Sequence, residues 1–141
     1  MSPALGALDV LPVGLRVVTS PLGWREAQAE CTLRGGDLYT PLDLPSAQDL
    51  ARALRQHPQE FWTGAYHAPP DHLLSRVPHG ASAYYTNWAP EYPQPDHRLQ
   101  TCVSLKPETP HSTAPWLMYN RPCDTALPFV CGHLAPPPLP P

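Results

Sequence analysis

A chain of 141 residues is the size of one ordinary domain, long enough to bury a single core without dividing. Nine Lys and Arg against twelve Asp and Glu give a formal net charge of -3, with no basic run longer than a pair, which excludes nucleic acid as a partner. Charged residues are only 15% of the chain and prolines number 22, so the surface is built of neutral polar groups, prolines and aromatics, which suits a loop-rich protein and not a helical bundle.

The N-terminal stretch from Met1 to Leu15 is mildly apolar, but it lacks a basic leading region and is interrupted by Asp9 and Pro12. It makes a poor signal peptide, and no run approaches the length of a membrane span, so no membrane insertion is expected. Residues 1–12 read as an N-terminal segment, 13–133 as the folded domain and 134–141 as a proline-rich tail or linker. The expectation is a piece of a larger extracellular protein, or a chain that starts downstream of its leader.

Val13 to Thr19 is rich in β-branched residues and reads as an opening strand. Ser20-Pro21 then offers an N-cap and a first-turn proline, and Trp24, Ala27, Cys31 and Leu33 or Arg34 follow at helical spacing until Gly35-Gly36 stops the helix. A second helix is expected from Pro45-Ser46 through Leu54, ending before Pro58. Phe61 to Tyr66 alternates bulky and small residues as a central strand does, and Gly64 leaves room for a second backbone.

His67 to Ala83 has no periodicity and reads as a loop. Tyr84 to Trp88 is aromatic enough to bury, and Pro90, Pro93 and Pro95 prevent a regular strand after it. Thr101 to Leu105, Trp116 to Tyr119 and Leu127 to Gly132 read as short strands. Ala135 to Pro141 is nearly all proline, expected as an extended polyproline segment.

Cys31, Cys102, Cys123 and Cys131 are an even set without a C-x-x-C pair, which disfavours a zinc ribbon or a thioredoxin-like site. Two disulfides account for them, and three pairings are open. Such bonds persist in oxidising compartments, so the expected location is extracellular, secreted or in an ectodomain. His67, His72, His79, His97 and His111 fall in no zinc spacing, and no G-x-S-x-G, H-E-x-x-H, phosphate-loop or dinucleotide motif is present, so an enzyme is not expected.

Between Leu15 and Gly132 these pieces resemble the C-type lectin-like domain. The resemblance rests on Trp24-x-x-Ala27-x-x-x-Cys31 with Gly35-Gly36, Phe61-Trp62-Thr63-Gly64, Asn87-Trp88-x-Pro90, and Cys102, Cys123 and Phe129-Val130-Cys131. It implies an α+β fold with two helices flanking a small antiparallel sheet, a long irregular loop before Cys102, and disulfides Cys31–Cys131 and Cys102–Cys123 in the short form of the domain.

In sugar-binding members that loop carries a motif whose two outer side chains hold calcium and two sugar hydroxyls around a proline that is usually cis. Gln94-Pro95-Asp96 is similar to the galactose-type variant. The glutamate the family places two residues before the cysteine matched to Cys102 is Gln100 here, and the expected Asn and Asp of the next motif are Tyr119 and Asn120. Of three carboxylates only Asp96 remains, and charge count is a main determinant of calcium affinity.

The implied ligand-binding residues are Gln94, Asp96, Tyr92 and Asn120, and calcium, if held, falls to Gln94, Asp96 and Asn120. No cofactor is expected. Tyr84, Tyr85 and Tyr119 are further rings free to meet a sugar or a protein, while Trp24, Trp62, Trp88 and Trp116 read as core. The expected function is recognition of a carbohydrate or protein ligand without strict need of calcium. The alternatives are calcium-dependent galactose-type binding through Gln94-Pro95-Asp96, and a structural spacer in a larger chain.

Overall fold

The computed structural model describes residues 8–10, 14–69, 73–78, 80–95 and 100–132. The expected polyproline tail, along with His72, His79 and His97, lies outside them. In chain order the elements are β1 (Leu8–Val10), β2 (Arg16–Leu22), α1 (Trp24–Leu33), β3 (Asp37–Leu38), α2 (Leu44–Ala53) and β4 (Phe61–His67), followed by β5 (Leu74–Arg76), β6 (Ala81–Ser82), β7 (Thr101–Lys106), β8 (Leu117–Pro122) and β9 (Leu127–Gly132).

The strands form one mixed sheet. β2 pairs with β1 on one side and antiparallel with β9 on the other, with Arg16 opposite Cys131 and Leu22 opposite Leu127, so the first and last long strands of the domain lie side by side. β9 meets β4 in parallel at Trp62 and Phe129, and β4 continues through β7 to β8.

Successive strand residues point to opposite faces, and both faces are covered. Val17, Phe61, Val103 and Val130 pack with Leu50 and Ala51 of α2 and with Leu54 just after it. Their neighbours Val18, Trp62, Cys102, Phe129 and Cys131 pack with Trp24, Ala27 and Cys31 of α1. The α+β sandwich of sheet between two helices therefore follows from the alternation of β4, β7 and β9. Trp24, Trp62 and Trp116 are buried in it, and Trp88 packs against its edge.

Both disulfides are formed, Cys31–Cys131 across 100 residues and Cys102–Cys123 across 21. The first joins the buried stripe of α1 to the last strand. The second joins the start of β7 to the turn after β8.

Helix α1 begins at Trp24, not at Pro21. Ser20 and Pro21 instead belong to β2, in an irregular stretch between Val18 and Leu22 where proline's missing N–H disturbs no ladder. Pairing of Leu22 with Leu127, and the Trp24 N–H bond to the Cys123 carbonyl at 2.8 Å, override the local capping signal. The end of the helix is as expected. Gly35 at φ 88° and Gly36 close it, with the Gly36 N–H on the Cys31 carbonyl and the Gly35 N–H on Thr32. Leu33, one option for the apolar stripe, is 84% exposed.

Helix α2 starts one residue before the expected Pro45. Asp43 caps it, its carboxylate accepting the Ser46 N–H while the Ser46 hydroxyl accepts the Asp43 N–H. Gly64 has the predicted close neighbour: a Cβ there would sit 2.7 Å from the Leu38 carbonyl oxygen. The 67–83 stretch, expected as loop, contains the β5–β6 hairpin, and Tyr84, in a stretch aromatic enough to bury but also read as a ring open to a ligand, is 86% exposed.

Candidate functional site

The loop between β6 and β7 is strung along the outer edge of β8. The Met118 N–H donates to the Asn87 carbonyl at 2.8 Å, and the Ala89 N–H donates back to Met118 at 3.0 Å. The Asn87 side-chain amide donates to the carbonyls of Pro115 and Trp116. These bonds cover backbone groups that an edge strand would otherwise leave open.

Further along, Asn120 fastens the loop again. Its Oδ1 accepts the Gln94 backbone N–H and its Nδ2 donates to the Gln94 carbonyl, both at 2.7 Å, and the residue is 8% exposed. Only this orientation of the amide satisfies donor and acceptor together. The Gln94 side chain turns back to donate to the Glu91 carbonyl at 2.8 Å, and Glu91 itself takes a positive φ of 70°.

On the opposite face of β8, Arg121 gathers the second group. Its Nε donates to Glu60 Oε2 at 2.8 Å, one Nη to Glu60 Oε1 and the other to the Tyr92 hydroxyl, both at 3.4 Å. The guanidinium lies 4.8 Å from the centre of the Tyr119 ring, which meets Tyr92 edge to face. Burial by itself would lower the Arg121 pKa, but the bond to Glu60 and its charge, aided by the two tyrosines, hold it above the ordinary guanidinium value.

Between this group and the start of α1 opens a cleft of about 490 Å³, lined by Arg25, Gln94, Gln100, Asn120, Arg121 and Asp124 among others. Arg25 spans it, donating from Nη2 to Gln100 Oε1 at 3.0 Å. Among the described residues that line it, Arg25, Arg121 and Asp124 are the charged ones.

Of the residues expected at the site, Gln94 and Asn120 are brought into contact, while Tyr92 packs with Arg121 and Tyr119 on the other face of β8. Asp96 lies outside the described residues. Among the described residues the cis prolyl bonds are Val77–Pro78 and Tyr92–Pro93, so the cis bond in the loop lies two residues upstream of the expected Gln94–Pro95. Arg25, Arg121 and Asp124 are additions that the motifs do not point to. The signal for Arg121 and Asp124 is the cysteine framework, because Cys102–Cys123 draws the residues near each sulfur together, while Arg25 is brought there by the Trp24 N–H bond to the Cys123 carbonyl.

The donor set of the described residues fits a calcium cage poorly. Among the described residues no three carboxylate, imidazole or thiol groups gather. Gln100 faces a guanidinium, and the Asn120 oxygen is already taken by an N–H. A hard cation wants six to eight oxygens, several of them anionic. Restoring a carboxylate with Asn120→Asp would set it against the Gln94 carbonyl oxygen. Urea denaturation is expected to show a loss of about 1 to 3 kcal/mol, and an unchanged midpoint would mean that the clamp contributes nothing.

The Lectin C-type domain profile matches residues 20–133. The chain belongs to the C-type lectin domain family. As a C-type lectin domain it is 26% identical over 112 residues to the human secretory phospholipase A2 receptor, covering 79% of this chain but 7% of the receptor. It is 29% identical over 123 residues to a snaclec of Philodryas olfersii, covering 81% of this chain and 69% of that one. Human lithostathine superposes with a TM-score of 0.69 at 17% identity, covering 93% of this chain and 88% of its own, a likeness of fold.

Proposed function

We propose that this C-type lectin domain is an extracellular, non-catalytic recognition module that holds a glycan or protein ligand at the 87–95 loop and the adjoining cleft, without requiring calcium. The observation that carries this is the Asn120 clamp: at the position where the resemblance expects a metal-binding carboxylate, a neutral amide is closed onto the Gln94 backbone in both directions. The loop is thereby held by the protein itself, which removes the ordering role that an ion would otherwise fill. A fixed irregular loop over a rigid sheet is a common arrangement for recognition. The two disulfides and the likeness to a receptor support the extracellular setting.

Calorimetric titration with calcium up to about 10 mM, beyond the range of weak extracellular sites, is expected to give no saturable heat. A saturable isotherm in the micromolar to low millimolar range would instead favour the galactose-type reading through Gln94, Asp96 and Asn120. Display of immobilised glycans and cell-surface proteins with and without chelator then tests recognition itself. Capture unaffected by chelator and lost in Asn120→Leu is the expected result, and no capture of any kind would leave the spacer reading.

A further inference from the structure

We infer that Cys102–Cys123 is a thiol–disulfide exchange site, opened by a dithiol while Cys31–Cys131 stays closed, and that its opening loosens the junction between α1 and the turn after β8 without unfolding the domain. Access is the first ground. Cys31 and Cys131 have no exposed surface and lie in the cluster built from Trp24, Trp62 and Phe129, so a reductant meets them only when that core opens. Cys102 is equally covered. Cys123 differs: it stands in the turn after β8, is only half-buried, and lines both the cleft of about 490 Å³ and a second space of about 260 Å³ beside it. Its sulfur lies 3.6 Å from the carbonyl oxygen of Gln100, another residue lining the larger cleft. Of the four sulfurs, that of Cys123 is the one an attacking thiolate reaches in the folded domain.

The exchange runs in two balanced steps. A thiolate of the dithiol attacks the Cys123 sulfur and forms a mixed disulfide there as the protein's S–S bond breaks, and Cys102 leaves as a thiolate that takes a proton from water. The second thiol of the reagent then loses its proton and attacks the reagent's own sulfur in the mixed disulfide, releasing Cys123, which is protonated in turn. Two electrons and two protons pass to the protein, and the dithiol becomes a disulfide.

The second ground is what holds without the bond. β7 and β8 pair continuously from Thr101 opposite Pro122 to Lys106 opposite Leu117, so the ladder closes the hairpin whether or not the crosslink is present. Asn120 stands opposite Val103, inside that ladder, and its clamp on the Gln94 backbone stays with it. Cys31–Cys131 keeps α1 tied to β9. Beyond the end of the ladder lies the Cys123 backbone, whose carbonyl accepts the Trp24 N–H at the start of α1. The Arg25 bond to Gln100 reaches the same end of the hairpin from the helix. Opening the crosslink frees these two anchors from each other, so one wall of the cleft loosens while the loop keeps its place.

The test is reduction of the intact chain with graded dithiothreitol and no denaturant, followed by alkylation, intact mass and peptide mapping. Cys102 and Cys123 are expected to be labelled at least about tenfold faster than Cys31 and Cys131, giving a form with one crosslink left. The double variant Cys102→Ala with Cys123→Ser shows the effect of opening free of any label. It should keep a cooperative melt, exchange the Trp24 amide and those of 123–125 faster than the wild type, and protect the β9 amides as the wild type does. Labelling of all four cysteines at one rate, or no labelling short of thermal unfolding, overturns the inference. So does a double variant whose β9 amides lose protection, or whose Trp24 amide is as protected as before. None of these readouts needs a ligand, so the recognition reading stands or falls separately.

Discussion

Replacing both Cys31 and Cys131 with alanine is expected to remove about 4 to 5 kcal/mol of stability, the chain-entropy value for closing a loop of this length. The bond spans 100 residues and ties α1 to β9, so it restricts almost the whole unfolded chain. Both cysteines are fully buried, and the shorter alanine side chains also leave a gap in the cluster of Val18, Trp62 and Phe129. Single domains hold about 5 to 15 kcal/mol in total, so the double variant should be largely unfolded near body temperature. Guanidinium denaturation of the two proteins measures the difference. The equivalent change at Cys102 and Cys123, separated by 21 residues, should remove only about 3 kcal/mol. A larger effect from the short loop than from the long one would show that native packing, not chain closure, dominates.

Trp62→Ala should lower stability by about 3 to 5 kcal/mol. Trp62 is 1% exposed, belongs to the α1-side cluster that holds cysteines of both disulfides, and donates its indole N–H to the Leu22 carbonyl at 2.9 Å. That bond also pins the irregular end of β2 from which α1 departs. Trp62→Phe keeps most of the ring packing and loses the bond, for an expected loss of about 1 to 2 kcal/mol. If the two variants unfolded at the same denaturant concentration, the side chain's volume would not be what matters at this position.

How much of the molecule is legible in its chain depends on how local each cause is. The strands β4, β7 and β9 are legible because alternate residues enter opposite cores, and the end of α1 because Gly35-Gly36 is a signal within one turn. The start of α1 is not, because a distant strand, β9, competes for Ser20-Pro21 and its neighbours. The β5–β6 hairpin is too short, in a stretch of Pro, His, Ser and Gly, to leave a period. At the site, the proximity of Gln94 and Asn120 follows from the resemblance, but the reason for it does not: the amide that replaces a carboxylate reads in sequence as a lost ligand and in the structure as a clasp. Arg25 and Arg121 are 96 positions apart and meet at one cleft through the Cys102–Cys123 crosslink and the docking of α1 on Cys123, which no local pattern records.

The pairing of Arg16 with Cys131 has a further consequence for how such a unit is mounted. Arg16 and Cys131 share one pole, with β1 doubling back beside β2 so that Leu8 stands opposite Val18, while Leu22, Leu127 and the mouth of the cleft lie toward the other pole, about 20 Å along β2. A module joined behind Gly132 would therefore attach at the pole away from the cleft, leaving its mouth uncovered.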